Sequence, residues 1–254
     1  FPFSVAKTLQ LPRPEMAHAA GEFYGKYSFL KAGIVAADHL TTVSRTYAGE
    51  IATSELGCGL DGVIRARPEP VRGILNGADY ATWDPRSDHH LSHNYSAQDV
   101  GTKRINKMVL QRELGLYVCD TVPVVAWMSR LAHQKMPDVA LEVLPALVEA
   151  GIQFVLVAEG DQLYETGFRA LAERFPRQVA VRIGYDEAAA HRMLAGADML
   201  LHPARFEPCG LSPLYAMRYG TLPILRRCGG MVDTVIDATN DSLRTDRACG
   251  FTFD

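Results

Sequence analysis

What the sequence lacks narrows its class first. It has no Cys-x-x-Cys pair: Cys58, Cys119, Cys209, Cys228 and Cys249 stand far apart and are odd in number. Neither a disulfide framework nor a zinc knuckle is built that way, so a reducing cytoplasm is expected. No apolar run is long enough to span a bilayer and no stretch has the shape of a signal peptide, so no membrane partner is expected. A strong charge of either sign is missing too: 26 Lys and Arg stand against 29 Asp and Glu, a formal net charge of -3. That balance argues against a nucleic-acid binder. Internal repeats and low-complexity tracts are absent. What is there suits a globular protein: 254 residues, 48% of them hydrophobic, enough to bury one large core or one and a half.

Beyond Gly101 the pattern is regular. Apolar runs at 122–128, 153–158, 179–183, 199–202 and 222–225 read as strands. Helical patterns lie near 104–114, 137–149, 164–175, 186–195 and 212–219. Such alternation predicts an α/β fold, a Rossmann-like parallel sheet with helices on both faces. The first quarter is mixed, with short strands at 40–43 and 71–75, a helix over 45–56 opened by Ser44, and a helix leading in over 23–32. From 76 to 96 the chain is rich in Asn, Asp, Ser and His and reads as loop or linker. The expected division is 1–75, a linker at 76–100, and 101–254.

The most informative segment is Arg205-Phe206-Glu207-Pro208-Cys209-Gly210-Leu211, at the passage from the strand 199–202 to a helix. In an open α/β sheet, ligands bind where strand carboxyl ends meet helix amino ends, and free N–H groups there attract anions. Glu207 would repel a phosphate unless cations stand nearby or it faces a neutral, hydroxylated part of the ligand. A nucleotide-sugar has both halves. Arg130 and Lys135 fall at the turn after the strand 122–128 and could supply the cations. Taken alone, both read as solvated surface charges, as most Lys and Arg are. His191, His202, Asp198 and Glu207 have no standard ligand spacing, so no metal is expected. No cofactor is expected either.

Taken in order, Ser129-Arg130-Leu131-x-x-Gln134-Lys135, Ile183-Gly184-Tyr185, the segment around Glu207, Tyr219-Gly220-Thr221 and Gly229-Gly230 resemble bacterial glycogen synthases. These belong to the starch/glycogen synthase family of retaining glycosyltransferases with two Rossmann-like domains, the B type. Ser28 to Gly33, Thr42-Val43-Ser44 and Asn76-Gly77-x-Asp79-x-x-x-Trp83-Asp84-Pro85 extend the likeness along the chain. It implies transfer of glucose from ADP-glucose or UDP-glucose to the non-reducing end of an α-1,4-glucan. By the same resemblance 1–75 ends the acceptor-side domain and 101–254 is the donor-binding domain. The family's Lys-x-Gly-Gly-Leu loop and its final helices are not in this sequence, which leads us to expect an internal fragment, inactive by itself.

The resemblance also implies roles. Arg130 and Lys135 match the diphosphate-binding pair, and Glu207 the carboxylate beside the donor sugar. Gly210 and Leu211 offer backbone N–H groups, Gly229 and Gly230 form a second diphosphate loop, and Cys209 shapes its loop by packing. Tyr185 matches an aromatic that stacks on the base; ordinary packing of a half-exposed tyrosine is nearly as good a reading. Arg205 is expected to orient Glu207 through an ion pair. Three positions depart from the family: Met136 and Ala158 where glycine is usual, and Cys228 where threonine is. They leave two alternatives open, a non-catalytic nucleotide- or glucan-binding module and another retaining glucosyltransferase of this fold.

Overall fold

A computed structural model describes residues 1–9 and 20–254. The chain divides into two compact units, Phe1–Leu75 and Asn76–Asp254. In the first, Glu22–Phe23 and Lys26–Tyr27 form an antiparallel pair where a helix was expected. Tyr24 and Gly25 both have positive φ, 48° and 73°, the backbone of a tight hairpin turn. The helix starts only at Phe29, capped by Ser28, and runs to Ala36. Ser44 does cap the next helix, Arg45–Glu50, accepting from the Tyr47 N–H at 2.8 Å. That helix ends six residues short of expectation, where the Ala52 and Thr53 N–H groups turn to tighter bonds with Gly49 and Glu50. A parallel pair, Thr41–Thr42 with Arg72–Gly73, and the helices Val5–Thr8 and Asp61–Arg65 also belong to this unit, whose core holds Ile34, Leu60 and Ile64.

The second unit carries six parallel strands: β1 Val124–Leu131, β2 Gln153–Gly160, β3 Val179–Ile183, β4 Met199–His202, β5 Leu222–Arg226 and β6 Phe251–Phe253. Between and before them lie helices α1 Lys103–Glu113, α2 Pro137–Glu149, α3 Gln162–Arg174, α4 Glu187–Gly196, α5 Leu211–Arg218, α6 Gly229–Thr234 and α7 Asn240–Arg244. The strand order is 3-2-1-4-5-6, that of a doubly wound sheet. Side-chain alternation splits the core between the two faces. Val125, Trp127, Phe154 and Leu156 pack with Leu144 of α2 and Phe168 of α3, whereas Val124, Ala126, Val155 and Val157 pack with Leu110 of α1 and Met193 of α4.

Two departures from the expected pattern matter for function. β1 pairs with β2 along its whole length, from Val124 opposite Gln153 to Leu131 opposite Gly160, so Ser129, Arg130 and Leu131 are strand and not loop. Residues 76–100, read as linker, are packed into the second unit. Trp83, Leu91 and Tyr95 join Leu200 and Tyr219 in one apolar cluster, and the Tyr95 hydroxyl donates to the Tyr219 carbonyl at 2.8 Å. No helix among the described residues is long and apolar enough to cross a membrane.

Candidate active site

The strand order reverses between β1 and β4. These neighbours pair only at Val125–Met199 and Ala126–Leu200; beyond that β4 stops at His202 while β1 continues. Ligands of doubly wound sheets sit at such a switch point, at strand carboxyl ends. Glu207, five residues past β4, is 9% exposed. Its Oε2 takes both the Lys135 ammonium and, at 3.4 Å, Nε2 of His202. Burial alone would raise the Glu207 carboxyl, but the His202 hydrogen bond and the Lys135 charge outweigh it and hold the pKa at about 2. His202 itself is pushed below 6.5, chiefly by burial, against the Glu207 hydrogen bond that would raise it.

The loop around Glu207 is fastened from two sides. Gln134 accepts from the Arg205 N–H at 2.8 Å and donates its side chain to the Phe206 carbonyl at 2.9 Å, tying the turn after β1 to the turn after β4. From the other side, the Gly230 N–H donates to the Glu207 carbonyl at 3.0 Å. That N–H, expected to face a diphosphate, is therefore used inside the chain. A Cβ on Gly230 would lie 2.5 Å from Cys209 Cα, so glycine is what lets α6 lie against the Pro208–Cys209 backbone. Gly210, at φ 79°, turns the chain into α5 at Leu211. Cys209 is 5% exposed and packs, as expected. Arg205 does not pair with Glu207: its guanidinium forks onto Asp138 of α2 at 2.7 and 3.0 Å and donates to the His133 carbonyl. Asp138 offers both oxygens to that fork, whereas Glu207 already holds an ammonium.

Arg130 stands apart from the Lys135–Glu207 pair. It is exposed at the end of β1 and lines a cavity of about 300 Å³ with Tyr185, Ala158, Glu159, Trp83 and Ser212. Tyr185, 79% exposed, is an open face at its rim. Ser212 and Tyr215 bring α5, the helix that follows the Glu207 loop, to the same cavity. Trp83 stacks between Tyr215 and His191, with ring centroids 4.3 and 3.8 Å away. Neither Trp83 nor His202 was singled out for function from the sequence; the position of His202 at the end of the switch-point strand was the available signal for it. Met136 begins α2 in the left-handed region, at φ 55° and ψ 40°, a conformation that suits glycine.

Among the described residues, Asp88, His89 and His90 have ligating atoms within 4.8 Å of one another. The Asp88 carboxylate is already occupied: Tyr219 donates its hydroxyl at 2.5 Å, His191 Nδ1 lies 2.7 Å away, and the His90 N–H donates at 2.9 Å. That network anchors residues 83–95 to α4 and α5.

Residues 119–246 match the family model "Glycosyl transferases group 1", and residues 1–66 match "Starch synthase catalytic domain". The chain is 52% identical over 256 residues to a glycogen synthase of Burkholderia thailandensis, covering 100% of this chain and 48% of that protein. With glycogen synthase 2 of Nitrosococcus oceani the identity is 51% over 245 residues, 96% of this chain and 50% of the relative. The catalytic domain of starch synthase IV from Arabidopsis thaliana, solved bound to ADP and acarbose, aligns with a TM-score of 0.83 at 36% identity, over 88% of this chain and 46% of that one. The chain thus spans about half the length of the curated relatives it matches.

Proposed function

The chain belongs to the group 1 glycosyl transferases, and from that premise we propose that it is the donor-binding part of a glycogen (starch) synthase. The reaction is transfer of glucose from ADP-glucose or UDP-glucose to the non-reducing end of an α-1,4-glucan, with retention at the anomeric carbon. The observation that carries this reading is the Lys135–Glu207 pair, side chains 13% and 12% exposed, joining the turn after β1 to the loop after β4. A cation and an ionised acid held together there suit a ligand that is anionic at one end and hydroxylated at the other.

The chemistry follows from the charges. As the bond between the anomeric carbon and the diphosphate oxygen breaks, the sugar becomes oxocarbenium-like and the leaving diphosphate gains negative charge. Lys135 has N–H groups beyond the one given to Glu207, and Arg130 presents a guanidinium fork at the neighbouring cavity; together they receive that charge without a metal. A preorganised donor in a water-poor site contributes about 3 kcal/mol. Glu207, ionised far below neutral pH, accepts from glucose hydroxyls and faces the developing positive charge. Tyr185 offers a stacking face to the base, and the cavity of about 300 Å³ takes the nucleoside. Gly210 and Leu211, at the start of α5, offer N–H groups to phosphate or sugar. The Gly229–Gly230 turn contributes by holding the Glu207 loop.

Calorimetric titration of ADP and UDP into this chain, beside a glucan-elongation assay of the complete gene product, tests the reading. We expect saturable binding of at least one nucleotide and elongation by the complete product. Absence of binding by both nucleotides would overturn it. Binding without elongation would identify the non-catalytic module instead.

A further inference from the structure

His202 ends β4 with 4% of its surface exposed, and its Nε2 faces the same Glu207 oxygen that Lys135 grips. Its other ring nitrogen, Nδ1, is buried and has no hydrogen-bond partner among the described residues. The charged groups that act on the ring are Glu207 and Lys135. A neutral imidazole carries a single N–H, and the surroundings choose where it sits. On Nδ1 it would be a buried donor with nothing to receive it, and the Nε2 lone pair would face a carboxylate oxygen. On Nε2 it makes a hydrogen bond. Lys135 and His202 both reach Oε2 of Glu207 rather than Oε1.

We propose that His202 is a positioning residue for Glu207, dividing the carboxylate into an oxygen held by the chain, Oε2, and an oxygen presented to the donor sugar, Oε1. Lysine is a point charge on a flexible stem and fixes the acid's charge without fixing its direction. A planar ring at the end of a packed strand supplies the direction. The neutral ring does this without adding a second positive charge beside the developing oxocarbenium ion. This inference rests on the role given to Glu207 above.

Two measurements test it. Nitrogen-15 spectra of histidine-labelled chain at pH 7 should show His202 neutral, protonated at Nε2, with that proton resonance shifted by Glu207→Gln. An Nδ1–H tautomer, or an imidazolium at pH 7, overturns the proposal. In the complete gene product, His202→Val should lower kcat about 10- to 100-fold with KM for the nucleotide-glucose within about threefold, the mark of lost orientation rather than lost binding. His202→Gln, whose amide restores an N–H donor, should recover kcat to within about threefold of wild type. Unchanged kcat in His202→Val, or a Gln variant as poor as Val with an unaltered melting temperature, also overturns it. If the wild-type product elongates no glucan, the functional reading falls, while the tautomer still decides the Glu207 contact.

Discussion

Lys135 and Glu207 are each close to nine-tenths buried, and neither charge is tolerable there without the other. Removing one partner of such a pair typically costs 3–5 kcal/mol, because the remaining charge is left desolvated. Lys135→Ala in the complete gene product should therefore lower the unfolding free energy by about 3 kcal/mol. It should also reduce kcat by at least about 100-fold while KM for the donor moves much less, because the ammonium acts most strongly on charge that appears in the transition state. Steady-state kinetics together with denaturant unfolding check both parts. A variant with wild-type turnover would remove Lys135 from the chemistry.

At the level of elements, the site depends on how closely α6 and the Glu207 loop approach. Gly230→Ala would place a methyl against the Cys209 backbone, which cannot rotate away as a side chain can. We expect a loss of about 2 kcal/mol or more and at least a tenfold fall in activity. Gly33→Ala, inside the helix Phe29–Ala36 with nothing among the described residues beyond its own helix backbone within 4 Å of the new methyl, is the control and should be neutral or slightly stabilising. A second junction lies at Lys103, the first residue of α1. Its Nζ donates to the Leu194 and Ala195 carbonyls at the end of α4 and to the Thr221 hydroxyl, at 2.7, 3.0 and 2.8 Å. The three acceptors match the three N–H groups of an ammonium. Lys103→Met takes the lysine donor from the Ala195 carbonyl, while the Leu194 carbonyl keeps the Thr221 hydroxyl, and should cost about 1–3 kcal/mol by thermal or urea unfolding.

Across the whole molecule, acid is the condition that dissolves these arrangements. The folded pKa of Glu207, about 2, lies below its ordinary value of 4.5. A depressed carboxylate stabilises the fold above the unfolded pKa and loses that contribution as pH falls from about 4.5 towards 2. Asp84 and Asp88, partly desolvated yet held low by hydrogen bonds from Arg86 N–H and Arg218, and from Tyr219, His90 N–H and His191, act in the same direction. Stability should therefore fall below pH 4.5 as Glu207 protonates and more steeply below 3.8, where the two aspartates join it, each group adding up to about 1.4 kcal/mol per pH unit. Urea unfolding across that range should show a shallower slope for Glu207→Gln than for wild type. Equal slopes would mean that Glu207 is not held low.

Periodicity made the sheet legible: the strands 179–183 and 199–202 and the helix 137–149 fall where apolar spacing puts them, because local burial decides them. The run from Arg205 to Leu211 lies at the passage from β4 to α5, where the apolar strand and the helical pattern after it put it. Other features depended on residues distant in the chain. Ser129 to Leu131 are strand because β2 continues beside them. Residues 83–95 are packed and not linker because Asp88 finds Tyr219 and His191, more than a hundred residues later. The sequence by itself determined which residue types stand at the switch point. Only the tertiary structure decided that Arg205 binds Asp138, that Gly230 spends its N–H on Glu207, and that Lys135 and His202 share one oxygen of that acid. A buried charge takes whichever partner the fold brings within hydrogen-bond reach, and sequence spacing does not encode that distance.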